Sequence, residues 1–215
     1  YFTPSQTRGG NLRDLVFLKV INWRNKKCIV HIHGGYYRQL IDHDVPSWQR
    51  KMNYQAVRRL AGGIVLGHSL HSIFEGMLPD DRIFVCPNCV DDAFIGPYID
   101  EKINKIKDGG ALHILYLSNF IESKGYREVL ELAKIAVDRG DSDKLVFHFA
   151  GKFFAPAEQT YFEEHSKVLP NVVYHGIVGG QDKVDLLNQC HLFSLLSRYP
   201  NEGQPISILE AMGNG

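Results

Sequence analysis

Hydrophobic positions along the chain follow two alternating patterns. Between residues 125 and 140, apolar residues recur with a helical period and Gly140 marks the end, which predicts an amphipathic helix. Short runs rich in β-branched and aromatic residues predict strands instead. There are seven such runs, at residues 28–34, 63–68, 82–86, 112–118, 144–151, 171–176 and 191–197. Continuous apolar strands separated by helices predict an α/β fold with parallel sheets covered on both faces.

The pattern breaks once, at "FIGPYIDEKINKIKDGGA", where glycines and a proline flank a charged run. This composition is typical of a linker. We therefore predict a first domain over residues 1–95, a linker over 96–110 and a second domain over 111–215. Because two-domain α/β proteins bind ligands at the carboxyl ends of their strands, we expect the site in a cleft between the two sheets.

Both predicted domains look incomplete. The first begins with a turn and a helix that no strand precedes, and the second ends soon after a strand and a short helix. We therefore expect that the amino-terminal part of the first domain and the carboxyl-terminal part of the second are missing, so that the chain is an internal fragment.

Composition and charge exclude several classes of protein. The 215 residues are 44% hydrophobic and 22% charged, which is typical of a globular chain. With 24 basic and 24 acidic residues the net charge is zero, so nucleic acid is not an expected partner. No stretch approaches the roughly 20 apolar residues of a membrane span, and no signal peptide is evident. We expect a cytoplasmic protein, with peripheral contact at the inner face of the membrane left open.

Four cysteines, Cys28, Cys86, Cys89 and Cys190, are too few for a disulfide framework in a chain of this length. The "CPNC" segment imitates a redox dithiol or half of a zinc site. A second CxxC does not occur, and the following "VDDAF" is not helical in pattern. We therefore predict neither a redox centre nor a metal site.

Lys124 lies in "NFIESKG", between a predicted strand and the helix that begins near Gly125. Free N–H groups and the helix dipole attract an anion at a helix amino terminus, and they disfavour a lysine unless an anion is bound. This position indicates a phosphate site. A solvated surface lysine is the alternative.

Two carboxylates in the final segment "NEGQPISILEAMGNG" flank a helix start. Glu202 lies in the loop, Pro205 suits the first turn, and Glu210 follows within the helix. Both lie on one side of a substrate, which does not suit glycoside hydrolysis. They are better suited to accept hydrogen bonds from hydroxyl groups, one carboxylate for each of two sugars that flank a diphosphate. Taken alone, the pair is better explained by one capping acid and one surface acid.

A histidine loop follows the first predicted strand in "HIHGGYYR". His33, Gly34 and Gly35 form a tight loop at a sheet edge, where a histidine can accept or relay a proton. His31 alternates onto the same face and is predicted to be buried. Because the chain has ten histidines, a structural role for His33 is the alternative.

Four segments resemble the retaining glycosyltransferases of family 4, in that family's order. The terminal segment resembles the Glu-x7-Glu motif followed by Ala-Met, with Glu202 and Glu210 at its spacing. "LYLSNFIESKG" resembles the Val-Gly-Arg-Leu…Lys-Gly element, and "VCPNCVDDAF" resembles the Pro-Asn-Gly-Val-Asp…Phe segment. "IVHIHGGYY" occupies the place of the strand and histidine loop.

The resemblance implies the GT-B fold, in which two Rossmann-like domains face each other across a cleft. It makes residues 1–95 the acceptor-side domain and residues 111–215 the donor-nucleotide-binding domain. The implied catalytic residues are His33, which reaches the reacting sugar, Glu202, which contacts its hydroxyls, and Lys124, which binds the diphosphate. The implied donor-binding residues are Asn119, Lys124, Val178, Glu202, Gly203, Gln204, Pro205, Ile206 and Glu210.

Within that set the roles differ. Glu210 would hold the ribose, Val178 would meet the base through its backbone, and backbone amides of Gly203, Gln204 and Ile206 would line the sugar and phosphate site. Pro205 has no N–H to offer.

Two departures from the family weaken the match. Ser118 and Asn119 replace the family's Gly-Arg, so that one phosphate cation is absent and Lys124 must carry more of the diphosphate. Cys89 replaces the glycine of Pro-Asn-Gly, which makes "CPNC" a loop variant.

The resemblance implies transfer of a hexosyl unit from a nucleotide-diphosphate sugar to a glycan or lipid-linked acceptor with retention, in cell-surface polysaccharide or glycoconjugate synthesis. The nucleotide sugar is a substrate, and neither a cofactor nor a metal is expected. A non-catalytic nucleotide-sugar or glycan-binding relative is the main alternative, and Asn119 favours it. A GT-B epimerase or phosphorylase is a third candidate, but the lysine context of a phosphorylase cofactor is not found. The sugar, the base, the acceptor and the oligomeric state are not indicated.

Overall fold

The computed structural model describes residues 1–96, 102–104 and 109–215. These residues form two compact units. Unit 1 comprises Tyr1–Asn88 and Pro200–Pro205, and unit 2 comprises Cys89–Tyr199 and Ile206–Gly215. The larger part of the predicted linker, residues 96–110, lies outside the described residues, so the predicted domain boundaries stay a prediction.

Unit 1 contains a parallel sheet of three strands in the order β1–β2–β3. The strands are β1 (Ile29–Ile32), β2 (Gly62–Val65) and β3 (Ile83–Val85), and the helices are α1 (Arg8–Trp23) and α2 (Ser47–Val57). Shorter helical segments span Tyr37–Gln39, Leu40–Asp44, His68–Phe74 and Asp80–Arg82. Phe2 forms an isolated parallel bridge with Val30, so a residue ahead of α1 pairs with the sheet where the sequence pattern showed no strand.

Helix α1 begins where its sequence provides a cap. The Thr7 side chain accepts a hydrogen bond from the Gly10 amide at 3.2 Å, which satisfies one free N–H group of the first turn. Leu15 and Leu18 are buried on the inner face of α1, and Leu18 joins the core with Val30 and Phe74. The spacing of Leu15 and Leu18 puts both on one face of α1, and Val30 lies on the face of β1 that this helix covers. The apolar pattern of the sequence therefore packs the helix against the sheet.

A buried amide network also holds α1 against α2. Asn11 Nδ2 donates to Asn53 Oδ1 at 2.8 Å, and Gln49 Nε2 donates to Asn11 Oδ1 at 2.9 Å. All three side chains are at most 4% exposed. Because buried amides must find partners, this network specifies how the two helices face each other.

Unit 2 contains a parallel sheet of four strands in the order β6–β5–β4–β7. The strands are β4 (Leu112–Leu117), β5 (Leu145–Ala150), β6 (Val172–Tyr174) and β7 (Leu192–Phe193). The helices are α3 (Tyr126–Asp138), α4 (Pro156–Ser166), α5 (Gly180–Gln189) and α6 (Ile206–Asn214), with short helical segments at Asp92–Phe94, Glu122–Lys124 and 102–104. All seven predicted strands are present, although the run at 191–197 pairs as a strand only over two residues.

The sheet of unit 2 is covered on both faces. Tyr116 and Phe149 point to an aromatic cluster with Phe162, whereas Leu115 points to the opposite side and packs with Leu186. Successive residues of a strand face opposite sides, so the continuous apolar run of β4 supplies both cores. Among the described residues, no helix combines the length and the apolarity that crossing a membrane requires.

Candidate functional site

The predicted site residues are divided between the two units. Unit 1 holds the histidine loop, residues 33–35, and the segment Pro200–Pro205, which we term the glutamate loop. Unit 2 holds the remaining predicted residues, which are Asn119, Lys124, Val178, Ile206 and Glu210. We describe the two groups in turn.

The histidine loop begins directly after β1 and presents an exposed His33. His31 lies two residues earlier and is 9% exposed, with its ring centroid 4.0 Å from that of His33 and its Nδ1 atom 2.7 Å from the Tyr1 hydroxyl oxygen. Burial lowers the pKa of His31, and the neighbouring His33 lowers it further. His31 therefore takes up a proton less readily than a free histidine, and His33 is the ring exposed at the surface.

The glutamate loop lies directly on the histidine loop, backbone against backbone. The Gly35 amide donates to the Glu202 carbonyl oxygen at 3.0 Å. A Cβ atom at Gly34 or Gly35 would lie 2.6 Å from a carbonyl oxygen of the glutamate loop, and one at Gly203 would lie 2.5 Å from the His33 carbonyl oxygen. Real Cβ atoms do not approach so closely, so these three glycines permit the contact. The result places Glu202 on a loop adjacent to His33.

Asn88, the asparagine of "CPNC", also holds the glutamate loop, at Gln204. Its amide donates to Gln204 Oε1 at 2.7 Å, and its side-chain Nδ2 donates to the Gln204 carbonyl oxygen at 2.8 Å. Sequence reasoning selected Gln204 for its backbone amide and missed the role of Asn88, because the two residues are 116 positions apart.

In unit 2, Lys124 closes a short helical turn immediately before α3. Gly125 caps α3 with φ +83°, in the left-handed region that favours glycine, and a Cβ there would also lie 2.5 Å from the Leu196 carbonyl oxygen. Helix α3 begins at Tyr126, so Lys124 lies at the amino-terminal end of this 13-residue helix, as predicted. The free N–H groups and the dipole of α3 favour an anion beside the lysine.

The surroundings of Lys124 include groups that sequence reasoning did not identify. Lys124 Nζ lies 5.2 Å from the centroid of the Tyr199 ring, within range of a cation–π interaction. The adjacent Arg198 donates its backbone amide to the Ser123 carbonyl oxygen at 2.6 Å, and its guanidinium pairs with Glu128. Burial opposes ionisation of Glu128, but the bond from Arg198, a backbone hydrogen bond and the charges of Arg198 and Arg127 together outweigh it and hold the pKa of Glu128 below its usual value.

Asn119 lies between β4 and Lys124, at the position where the family has an arginine. Its carbonyl oxygen accepts hydrogen bonds from the Tyr116 hydroxyl at 2.9 Å and from the Ile121 amide at 3.0 Å. These bonds fix the turn that leads to Lys124. The backbone of Asn119 is therefore structural, and its amide side chain offers neutral hydrogen bonding only.

Glu210 is buried on α6 at 6% exposure and contacts a lysine of α5. Lys183 Nζ donates to Glu210 Oε1 at 2.7 Å and lies 2.5 Å from Oε2. The same ammonium lies 5.3 Å from the centroid of the Phe94 ring. Because a carboxylate has about four lone-pair sites, Glu210 can accept a hydroxyl while it is held by Lys183. Sequence reasoning missed Lys183.

The remaining predicted residues lie near these groups along the chain. Val178 is partly buried against the core cluster of Leu115 and Leu187, and Ile206 is the half-exposed first residue of α6. Pro205 immediately precedes α6, whereas the sequence pattern placed it in the first turn. Within the described part of the chain, no group of three or more His, Cys, Asp or Glu side chains is arranged to hold a metal ion.

Comparison with known families gives a match over the second half of the chain. The sequence profile described as "Glycosyl transferases group 1" matches residues 99–215, more than half of the 215 residues. No curated protein matches the chain in sequence.

Solved structures match over nearly the whole chain. HepE of Anabaena in complex with UDP superposes with a TM-score of 0.69 at 16% identity, covering 95% of this chain and 56% of HepE. The UDP-forming trehalose-phosphate synthase of Burkholderia xenovorans, in complex with glucose-6-phosphate, gives 0.67 at 12% identity, with 93% and 54% covered. TarM gives 0.62 at 19% identity, with 90% and 36% covered, and an S. aureus TarM mutant was solved with fondaparinux, alpha-GlcNAc-glycerol and UDP.

The chain thus spans between about a third and just over half of the length of these proteins. At such identities the likeness concerns the fold. It confirms the predicted α/β fold class, with parallel sheets of the GT-B type.

Proposed function

Because the chain belongs to the glycosyl transferases group 1, we propose that it serves a nucleotide-sugar-dependent glycosyltransferase that moves a hexosyl unit to a glycan or lipid-linked acceptor with retention at the anomeric carbon. Similar folds support a nucleotide-sugar donor, since HepE was solved with UDP-glucose and a TarM mutant with UDP and glycan ligands. UDP-sugars are therefore the first donors to test.

One observation carries the proposal: the glutamate loop lies on the histidine loop through glycines that admit no side chain. This contact places Glu202 and His33 on neighbouring loops at the carboxyl end of β1, where α/β proteins bind ligands. In the proposed reaction Glu202 accepts hydrogen bonds from hydroxyls of the transferred sugar. His33 donates or accepts a hydrogen bond at the same sugar.

Lys124 binds the donor diphosphate in the proposed reaction. As the bond to the sugar breaks, negative charge grows on the leaving diphosphate, and the Lys124 ammonium and the amides at the start of α3 stabilise it. Glu210, held by Lys183, accepts hydroxyls of the ribose, and the backbone at Val178 meets the base. Amides of Gly203, Gln204 and Ile206 complete the donor set.

We place the reaction in the cytoplasm, at or near the inner face of the membrane, in the synthesis of a cell-surface polysaccharide or glycoconjugate. A lipid-linked acceptor is held in a membrane by its lipid, so such an acceptor would bring the reaction to a membrane surface. Fractionation of cells that express the tagged full-length protein tests it, and recovery outside the cytoplasmic and inner-membrane fractions would contradict it.

A non-catalytic nucleotide-sugar-binding relative is the second candidate. Asn119 favours it, because a neutral amide replaces a cation beside the diphosphate and charge-assisted bonds are roughly twice as strong as neutral ones. This candidate predicts donor binding without release of nucleotide.

The decisive experiment incubates the full-length protein with UDP-, GDP- and ADP-sugars, with and without glycan acceptors, and measures nucleotide release. Lys124→Ala and Glu202→Ala should each lower turnover by about a hundredfold or more. Lys134→Ala and Glu131→Ala on the exposed face of α3 are matched controls and should behave as wild type. If Lys124→Ala and Glu202→Ala leave turnover intact, the assignment of these residues is wrong. The anomeric configuration of the product, read by NMR, tests retention.

A further inference from the structure

We propose that Asn88 is a positioning residue for Glu202, which it holds in place through Gln204. The inference rests on the proposed function, because it assigns Asn88 a part in orienting the carboxylate that contacts the transferred sugar. Neither the family motif nor its spacing assigns such a part to this asparagine.

The glutamate loop has one anchor at Glu202 and a second at Gln204, both within unit 1. At the first, the Gly35 amide donates to the Glu202 carbonyl oxygen. At the second, the paired bonds of Asn88 hold Gln204, two residues further along the chain. The residues that flank the loop, Tyr199 and Ile206, already belong to unit 2. The second anchor therefore fixes the backbone two residues after Glu202, and its loss lets that backbone, and the Glu202 carboxylate with it, move.

Two hydrogen bonds join Asn88 to Gln204, and together they fix the orientation of one residue relative to the other. Each residue contributes one main-chain and one side-chain group: the Asn88 amide meets Gln204 Oε1 at 2.7 Å, and Asn88 Nδ2 meets the Gln204 carbonyl oxygen at 2.8 Å. Two bonds in a closed ring fix orientation as well as distance. Pro205 follows Gln204 and restricts it to extended backbone, which presets the direction of the carbonyl oxygen.

The kinetic test compares two substitutions of equal length. Gln204→Met removes the side-chain acceptor for the Asn88 amide, whereas Gln204→Glu keeps a side-chain oxygen that can accept from it. Asn88→Ala removes the bond from Asn88 Nδ2 to the Gln204 carbonyl oxygen. We expect Gln204→Met and Asn88→Ala to lower kcat for transfer about five- to tenfold, as for the loss of one or two neutral hydrogen bonds. Gln204→Glu, which keeps an acceptor for the Asn88 amide, should lose less kcat than Gln204→Met, and Asn22→Ala, on α1, should match wild type. In Asn88→Ala the loss of kcat should exceed the loss of affinity for UDP alone, because Glu202 contacts the sugar, which UDP lacks, whereas the Gln204 amide is only one of several groups proposed at the phosphates.

A second measurement does not depend on catalysis. Hydrogen exchange at the Gly35 amide reports whether the glutamate loop stays in place, since this amide donates to the Glu202 carbonyl oxygen. Exchange should be faster in Asn88→Ala and Gln204→Met than in wild type and Gln204→Glu. If the wild-type protein neither binds nor turns over any donor, the proposed function fails, while faster exchange still supports the anchor. Unchanged exchange and unchanged kcat in Asn88→Ala would overturn the inference, and so would an equal loss of UDP affinity and kcat.

Discussion

Three histidines form a hydrogen-bonded chain across the sheet of unit 2. His113 Nδ1 lies 2.7 Å from His148 Nε2, and His148 Nδ1 lies 2.8 Å from His175 Nε2. They come from β4, from β5 and from the residue after β6, which are neighbours in the sheet. At the other end, His191 Nδ1 accepts the backbone amide of His113 at 3.0 Å. A neutral imidazole has one donor and one acceptor, so neutral rings satisfy such a chain.

His148, at the centre of the chain, is 2% exposed. Burial is the largest cause that lowers the pKa of His148, and with the neighbouring imidazoles of His113, His175 and His191 it brings this pKa to about 4. Burial also lowers the pKa of His113 and of His175. The folded protein therefore keeps this chain neutral at pH values where an unfolded chain binds protons.

The consequence is a loss of stability in acid. Above about pH 6.5 His148 is neutral in both states, and its contribution to the pH dependence is nil. As the pH falls from 6.5 toward 4, the unfolded chain takes up a proton that the folded unit does not, so the free energy of unfolding decreases and then levels off. At about 1.4 kcal/mol for each pKa unit the full effect is about 3 kcal/mol. Because His113 and His175 are partly exposed and solvent screens the site, we expect about 2 kcal/mol.

The assay must separate the two units. The only two tryptophans in the sequence, Trp23 and Trp48, both lie in unit 1, so their fluorescence follows unit 1 alone. Hydrogen exchange at the amides of β5 follows unit 2. Exchange in β5 is measured in urea from pH 7.5 to 4.5, and in wild type it should show that the free energy of unfolding of unit 2 decreases as the pH falls. In His148→Gln this decrease should be smaller, because glutamine keeps a donor and an acceptor but does not titrate. His165→Gln, on exposed α4, is the control; an identical acid slope in all three proteins would refute the reasoning.

Two further predictions concern the loops and the buried ion pair. Gly35→Ala should displace the glutamate loop, lower the free energy of unfolding by about 1–3 kcal/mol and accelerate exchange of the residue 35 amide. In Gly9→Ala the added Cβ meets nothing within 4 Å, so the free energy of unfolding in urea should stay the same or rise slightly. Lys183→Met should lower the free energy of unfolding of unit 2 by about 3–5 kcal/mol, because it leaves the buried Glu210 carboxylate without its cation. Adding Glu210→Gln should restore much of that loss; a double variant as unstable as the single one would contradict this explanation.

The sequence predicted the strands well because their signal is local. Each run of β-branched and aromatic residues carries its own preference for a pleated, buried surface, and the sheet order did not have to be known. The run at 191–197 shows the limit of such reasoning. Leu192 and Phe193 pair with β4, and the Ser194 amide still donates to the Leu115 carbonyl oxygen, but the residues after Ser194 do not continue as a strand, which apolar composition does not reveal.

The partners of the candidate site residues were not predictable in the same way. Asn88 meets Gln204 across 116 positions, and Lys183 meets Glu210 across 27. Hydrogen bonds of this kind depend on where the fold brings two polar groups, and one sequence without its fold carries no periodic signal for them. The glycines are an intermediate case. Their presence in "HGG" indicates a tight loop, but the reason for each of the two, a carbonyl oxygen 2.6 Å from the missing Cβ, appears only in three dimensions.

The Glu-x7-Glu spacing has a structural basis that the pair of acids alone does not show. Glu202 clusters with unit 1 and Glu210 with unit 2, although eight positions separate them. The change occurs at Pro205, which ends the glutamate loop, and α6 begins at the next residue. A proline there prevents the helix from extending backward with a regular N–H pattern, so Glu202 cannot become its capping residue and stays with the loop. The spacing therefore separates a loop carboxylate anchored beside His33 from a helical carboxylate anchored by Lys183. The resemblance to the family, and not this geometry, is the basis on which we propose the sugar for the first and the ribose for the second.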